Sequence, residues 1–215
     1  MKIRNLLLVE ASLVTLIVGL IFLSIPLNQG GIGLSWDALN HQIYLGWVAS
    51  AERFSLDLFA AASQSYQYPY LYWPLWVAAE AGWGGVSAGI FLAMIHVAAV
   101  PPVWIVAYSF IPGVNPYTTL FRCAAVAMAF MSALPLKTLE STGNDLMAAM
   151  PFLWGVAIVC RIAASAVPGR RLFLPIATGV AGALIGLSLA LKLSNAPIAV
   201  AVPMFLLMVN GPWHQ

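Results

Sequence analysis

Leu6-Leu7-Leu8-Val9-Glu10-Ala11-Ser12-Leu13-Val14-Thr15-Leu16-Ile17-Val18-Gly19-Leu20-Ile21-Phe22-Leu23-Ser24-Ile25-Pro26-Leu27 is the stretch on which the fold turns. A helix needs about 20 apolar residues to cross roughly 30 Å of hydrocarbon, and this run is that long with one acid in it. Lys2 and Arg4 precede it, as they would a secretory leader. The run exceeds the ~7–15 residues of a leader's apolar region, however, and no small-x-small cleavage site follows. It reads as an uncleaved signal anchor. The whole chain agrees: 62% of its residues are hydrophobic and 7% charged, against about 25% charged in a soluble domain.

Five more segments continue the pattern: Val86–Ile111, Tyr117–Leu136, Asp145–Ala164, Leu172–Leu191 and Ala196–Val209, the last short and interrupted by Pro203. The expected fold is therefore all-α. It is a single polytopic membrane domain, 1–215, with about six transmembrane helices and an in-plane helix in a long loop, 28–85. The positive-inside rule sets the expected orientation. With the N-terminus cytoplasmic, Lys2, Arg4, Arg122, Arg161, Arg170 and Arg171 fall at the inner face. Asp37, Glu52, Asp57, Glu80, Glu140 and Asp145 fall outside, and Glu10 lies near the inner face. Tyr68-Pro69-Tyr70-Leu71-Tyr72-Trp73-Pro74-Leu75-Trp76-Val77-Ala78-Ala79 is apolar enough to suggest another span. Spanning would reverse the later arginines, and Trp and Tyr suit the headgroup level, so the segment reads as interfacial.

Composition also limits the chemistry. Cys123 and Cys160 sit inside expected spans, where two small buried apolar residues are the simplest account. Neither C-x-x-C nor H-E-x-x-H occurs. The net charge of +2 has no basic cluster behind it, which disfavours nucleic acid. Gly30-Gly31-Ile32-Gly33 lacks the lysine and strand context of a phosphate loop.

The polar chemistry gathers in the loops expected outside. The first, at ~58 residues, is far longer than a connector needs. It begins Ser35-Trp36-Asp37-Ala38-Leu39-Asn40-His41-Gln42-Ile43-Tyr44. A helix capped by Ser35 or Asp37 and running to about Phe54 places Asp37, Asn40, His41 and Tyr44 on one face. Leu39, Ile43, Trp47 and Val48 then form an apolar face that suits a helix lying on the membrane. Exposed capping is the plain account of Asp37, and its polar company argues for more. Arg53 and Asp57 are four apart, and a surface salt bridge is their default reading. Gln64-Ser65-Tyr66-Gln67-Tyr68-Pro69 follows. The second outer loop carries Asn144-Asp145, which suits the start of a helix as well as a site. The third supplies Lys192 and Asn195; snorkelling to headgroups competes with phosphate binding at Lys192. His96 within the second span reads first as a neutral imidazole bonded to a neighbouring helix.

A cytoplasmic N-terminus, one span, an acid just after it and a long outer loop with an in-plane helix together resemble the GT-C superfamily of integral membrane glycosyltransferases. The likeness is carried by Trp36-Asp37 to Tyr44, Arg53 to Asp57, Gln64 to Pro69, Gly143-Asn144-Asp145-Leu146 and Gly186 to Asn195. It covers most of the chain as scattered short motifs. It implies an enzyme that moves a sugar from or to a polyprenyl-phosphate carrier at the extracytoplasmic face. Asp37 would be catalytic base or acceptor-positioning group, with Asp57, Asn144 and Asp145 as looser matches. Asn40, His41 and Tyr44 would orient sugar hydroxyls, and Lys192 or Arg53 would stabilise the leaving phosphate. Gln64, Tyr66 and Asn195 complete the expected substrate-binding set, and the aromatics from Tyr66 to Trp76 would line the lipid groove. Some members bind a divalent metal and others do not. Asp37, flanked by Trp36 and Ala38, departs from the paired acids frequent in that superfamily. Its usual core also has more spans, so the chain reads as an N-terminal part of a longer protein. Two other classes compete: a non-catalytic subunit of a membrane complex, and a small transporter or flippase with its site at membrane depth.

Overall fold

A computed structural model of the chain describes residues 2–33, 35–53, 55–58, 60–139, 142–164, 173–200 and 202–203. Among these the fold is all-α. Its helices are α1 (Lys2–Gln29), α2 (Ile43–Ala51), α3 (Trp73–Glu80), α4 (Gly85–Val97), α5 (Val100–Phe110), α6 (Pro116–Phe130), α7 (Ala133–Leu139), α8 (Asp145–Ala163) and α9 (Phe173–Leu191).

Four helical stretches are long and apolar enough to cross a membrane: Asn5–Gln29, Gly85–Phe110, Asp145–Ala163 and Leu174–Leu191. The second is not one rod. Pro101 and Pro102 lack the N–H of an interior helical residue and fit only a first turn. The chain turns at Ala98-Ala99, and α5 starts with both prolines in its first turn. The segment expected to span from Tyr117 to Leu136 is divided as well: α6 has 15 residues, or about 22 Å of helix. A bend at Met131-Ser132 then leads into α7. Half of the span expected over Ala196–Val209 lies outside the described residues, as do Phe54, Glu140, Arg170 and Arg171. Trp73–Glu80 has 8 residues, about 12 Å, too short to cross a bilayer.

The chain divides into two compact units. The first comprises residues 1–16, 98–129 and 148–215. Its centre is an ion pair that the sequence did not reveal. The Arg122 side chain is 0% exposed. It donates to Glu10 from Nε at 2.7 Å and Nη2 at 2.6 Å, to Thr119 Oγ1 at 3.3 Å, and to the Ile111 and Gly113 carbonyls at 2.8 and 3.0 Å. Glu10 accepts further bonds from Trp104 Nε1 at 3.0 Å and Thr119 Oγ1 at 2.9 Å. Trp104 and Tyr108 stack beneath the guanidinium. Both charges are fully hydrogen-bonded, the condition under which a buried pair is tolerated. In the same unit α8 and α9 approach closely at Gly155, where a Cβ would lie 2.8 Å from Ile185 Cγ1.

The second unit comprises residues 17–97 and 130–147. Phe22 packs edge-on to Phe130 at its core. Gly89 lets α4 close on Pro26 of α1, where a Cβ would meet Pro26 Cβ at 2.6 Å. His96 is buried and its Nδ1 lies 2.6 Å from the Leu92 carbonyl. The bond expected to a neighbouring helix is thus made within α4 itself. Segments 28–85 and 136–145 fall in this unit, and with them the candidate residues from Asp37 to Asp145.

Candidate functional site

Ser35 starts the helix that continues as α2. Its Oγ accepts the Ala38 N–H at 3.1 Å, and Asp37 makes no side-chain capping bond. The helix opens with a π turn, Ala38–Gln42, before continuing as α2. It ends at Ala51, short of Phe54, with Glu52 in the left-handed region at φ 40°. A π turn holds one residue more than an α turn, and it divides the expected stripe. Ala38, His41, Gln42, Leu45 and Gly46 are buried. Leu39 and Ile43 are exposed, as an apolar outer face requires, while Trp47 and Val48 are half-buried. Gly46 makes this packing possible: a Cβ there would sit 2.8 Å from both Trp76 Cβ and the Tyr72 carbonyl oxygen. That close approach fixes α2 against α3.

The four members of the stripe therefore have different surroundings. Asp37 remains at the surface, its side chain 56% exposed, with Oδ1 4.0 Å from Nδ1 of a His41 side chain that is 6% exposed. The two side chains face each other one turn apart, at a distance beyond that of a hydrogen bond. Asn40 turns to the loop, where its Nδ2 donates to Gln64 Oε1 at 2.9 Å. Tyr44 donates its hydroxyl to Asp57 Oδ2 at 3.2 Å.

Asp57 is held by Arg53 as well, through Nε at 2.9 Å and Nη2 at 2.7 Å. The guanidinium also lies 5.4 Å from the Trp47 ring centroid. Arg53, then the Tyr44 hydroxyl, hold the Asp57 carboxyl below the usual carboxylate range. Asp57, Arg53 and Tyr44 thus form a clasp that folds the end of α2 onto the following turn.

Tyr72 and the loop before α8 adjoin this region. The Tyr72 ring meets His41 edge-on at 5.9 Å. Its hydroxyl donates to Gln67 Oε1 at 2.9 Å and lies beside the Asn144 amide. Burial pushes this phenol up, the Asn144 amide works against the rise, and the Asp145 and Asp37 carboxylates add to it. Asn144 is buried, whereas Asp145 is exposed and opens the first turn of α8, where a negative charge suits the helix dipole. Thr142 in the same loop donates to Gln42 Oε1 across 100 positions of sequence.

The structure thus brings Asp37 close to His41 and His41 against Tyr72, and groups Tyr44, Arg53 and Asp57 in a separate clasp. The Tyr66 side chain lies outside the described residues. Lys192 and Asn195 belong to the first unit. There Asn195 Nδ2 donates to Ser188 Oγ at 3.0 Å, and the half-buried Lys192 leads into the 3-10 turn Leu193–Asn195. Gln42, Thr142 and Tyr72 were not among the residues singled out from sequence. Gln42 is off the α-helical stripe and moves inward because of the π turn, which no sequence period announces. Tyr72 was visible as part of an aromatic run. Among the described residues no three His, Cys, Asp or Glu side chains gather into a metal-holding group.

No family model, no curated protein and no solved structure matches the chain.

Proposed function

We propose that the chain is a membrane glycosyltransferase of the GT-C kind, moving a sugar from or to a polyprenyl-phosphate carrier at the extracytoplasmic face. The observation that supports this most is the approach of an exposed carboxylate, Asp37, to a buried imidazole, His41, at 4.0 Å. A sugar hydroxyl is a weak nucleophile. Asp37 accepts its proton as the hydroxyl oxygen bonds to the anomeric carbon, and the bond from that carbon to the phosphate oxygen breaks with its electron pair. His41 lies behind the carboxylate at 4.0 Å, and Asn144 and Asp145 offer hydrogen bonds to sugar hydroxyls. Arg53, a cation of the same unit, already binds both Asp57 oxygens; it meets a departing phosphate only by exchanging one of them. On this reading the N-terminus is cytoplasmic and the chain crosses the membrane about six times.

The pairing of Asn40 with Gln64, Gln42 with Thr142 and Arg53 with Asp57 favours a second reading. Polar groups that satisfy one another build a rigid surface, as a non-catalytic subunit of a membrane complex requires. Reconstitution separates the two. Purified protein in proteoliposomes, given radiolabelled polyprenyl-phosphate sugars and a panel of hydroxyl acceptors, should release free polyprenyl phosphate with stoichiometric sugar transfer. Donor that stays intact across the panel, with the protein folded, would leave the subunit reading in place.

A further inference from the structure

Gln42 and Thr142 stand 100 positions apart, yet the Thr142 hydroxyl donates to Gln42 Oε1. Both residues are buried, at 5% and 6% exposure. Gln42 meets that partner from within the π turn. The Ile43 N–H reaches back five residues to the Ala38 carbonyl, and Ala38, His41 and Gln42 are the buried members of the turn. Asp37 directly precedes it. On the far side of the bond, Asn144 and Asp145 follow Thr142 by two and three residues, so their Cα atoms lie within about 7 and 11 Å of its own. We propose that Gln42 is a positioning residue of the transfer site, holding the Asn144-Asp145 segment in register with Asp37 and His41 through its buried bond to Thr142.

The inference rests on the glycosyltransferase reading. Its physical basis is the direction and the burial of the bond. A hydrogen bond weakens steeply away from linear geometry, so it admits one register where apolar contacts would allow sliding. An amide oxygen buried without a donor is unfavourable, so the bond is kept once the two segments have met. Gln42 does not touch the reacting atoms. It acts through Thr142 on Asn144 and Asp145, and a displacement of ~1 Å in such groups costs about a hundredfold in rate.

Thr142→Val removes the hydroxyl at nearly constant size, Thr142→Ser keeps it, and Gln42→Leu removes the acceptor from the other end. In proteoliposomes with a polyprenyl-phosphate sugar donor, Thr142→Val and Gln42→Leu should each lower kcat/KM per folded molecule by about ten- to a hundredfold. Thr142→Ser should stay within about threefold of wild type. The double variant should lose no more than the worse single one, because both changes act through one bond. Amide deuterium exchange in a peptide covering residues 142–147 should rise in Thr142→Val and Gln42→Leu but not in Thr142→Ser. Unchanged kcat/KM in Thr142→Val and Gln42→Leu, with transfer abolished by Asp37→Asn, would overturn the positioning role and leave the glycosyltransferase reading standing. So would losses that multiply in the double variant, or a loss that follows only the fraction of folded protein. Transfer that survives Asp37→Asn, or that wild type does not perform, would remove the reading itself, and the role of Gln42 with it.

Discussion

Replacing Arg122 by leucine removes five hydrogen-bond donations from the centre of the first unit: two to Glu10, one to Thr119, and one each to the Ile111 and Gly113 carbonyls. Glu10 keeps Trp104 at 3.0 Å and Thr119 at 2.9 Å, but its charge no longer has a counter-ion. Breaking a buried pair in this way costs about 3–5 kcal/mol, roughly 150- to several-thousand-fold in the folding equilibrium. Glu10→Gln in the same protein removes the stranded charge and preserves an oxygen that Trp104 and Thr119 can still reach. The double variant should therefore be more stable than Arg122→Leu alone, by about 2 kcal/mol. Titration of the purified proteins from detergent into SDS, followed by circular dichroism, gives the three differences needed. If Arg122→Leu costs under about 1 kcal/mol, or if the two changes add to within about 0.5 kcal/mol, the pair does not hold the unit together.

Two further predictions test packing and electrostatics. Gly155→Ala should destabilise by about 1–3 kcal/mol, since the new methyl must displace Ile185 and the Ala181 carbonyl. Gly182→Ala, with nothing within 4 Å of its Cβ, should instead be neutral or stabilising by up to about 1 kcal/mol, as expected for alanine in a helix; melting temperatures in one detergent compare them. The Arg53–Asp57 clasp should respond to acid alone. Because Arg53 holds the Asp57 carboxyl below its ordinary value, the clasp contributes stability at and above the ordinary aspartate range and loses it as pH falls through the lowered value. Tryptophan emission of wild type minus that of Asp57→Asn, which reports on Trp47 beneath Arg53, should stay constant from pH 8 to 5; a transition within that interval would contradict the assignment.

The membrane helices were legible in the sequence because a span depends on the length and apolarity of a run. Asn5–Gln29, Gly85–Phe110, Asp145–Ala163 and Leu174–Leu191 all fall within a few residues of the stretches read as spans. The Asp37–His41 pair was legible for a similar reason: its four-residue spacing survives either turn type at the start of the helix. The inward turn of Gln42 was not, because a π turn arises from tertiary packing against Thr142 and the Gly46 contact. Nor was the Glu10–Arg122 pair, which joins positions 112 residues apart. Placing Arg122 at the inner face by the positive-inside rule missed that its buried guanidinium is neutralised by Glu10. The Arg53–Asp57 bridge was visible from spacing, and the structure adds Tyr44 and Trp47 to it.

The central claim is that the exposed carboxylate of Asp37 is the base and that the clasped carboxylate of Asp57 is structural. Sugar transfer from a polyprenyl-phosphate donor by Asp37→Asn and Asp57→Asn, each as kcat per folded molecule in proteoliposomes, tests this most directly. Loss of a general base should lower kcat by about 10²–10⁴-fold in Asp37→Asn, with Asp57→Asn within about tenfold of wild type. Full transfer by Asp37→Asn would contradict the account.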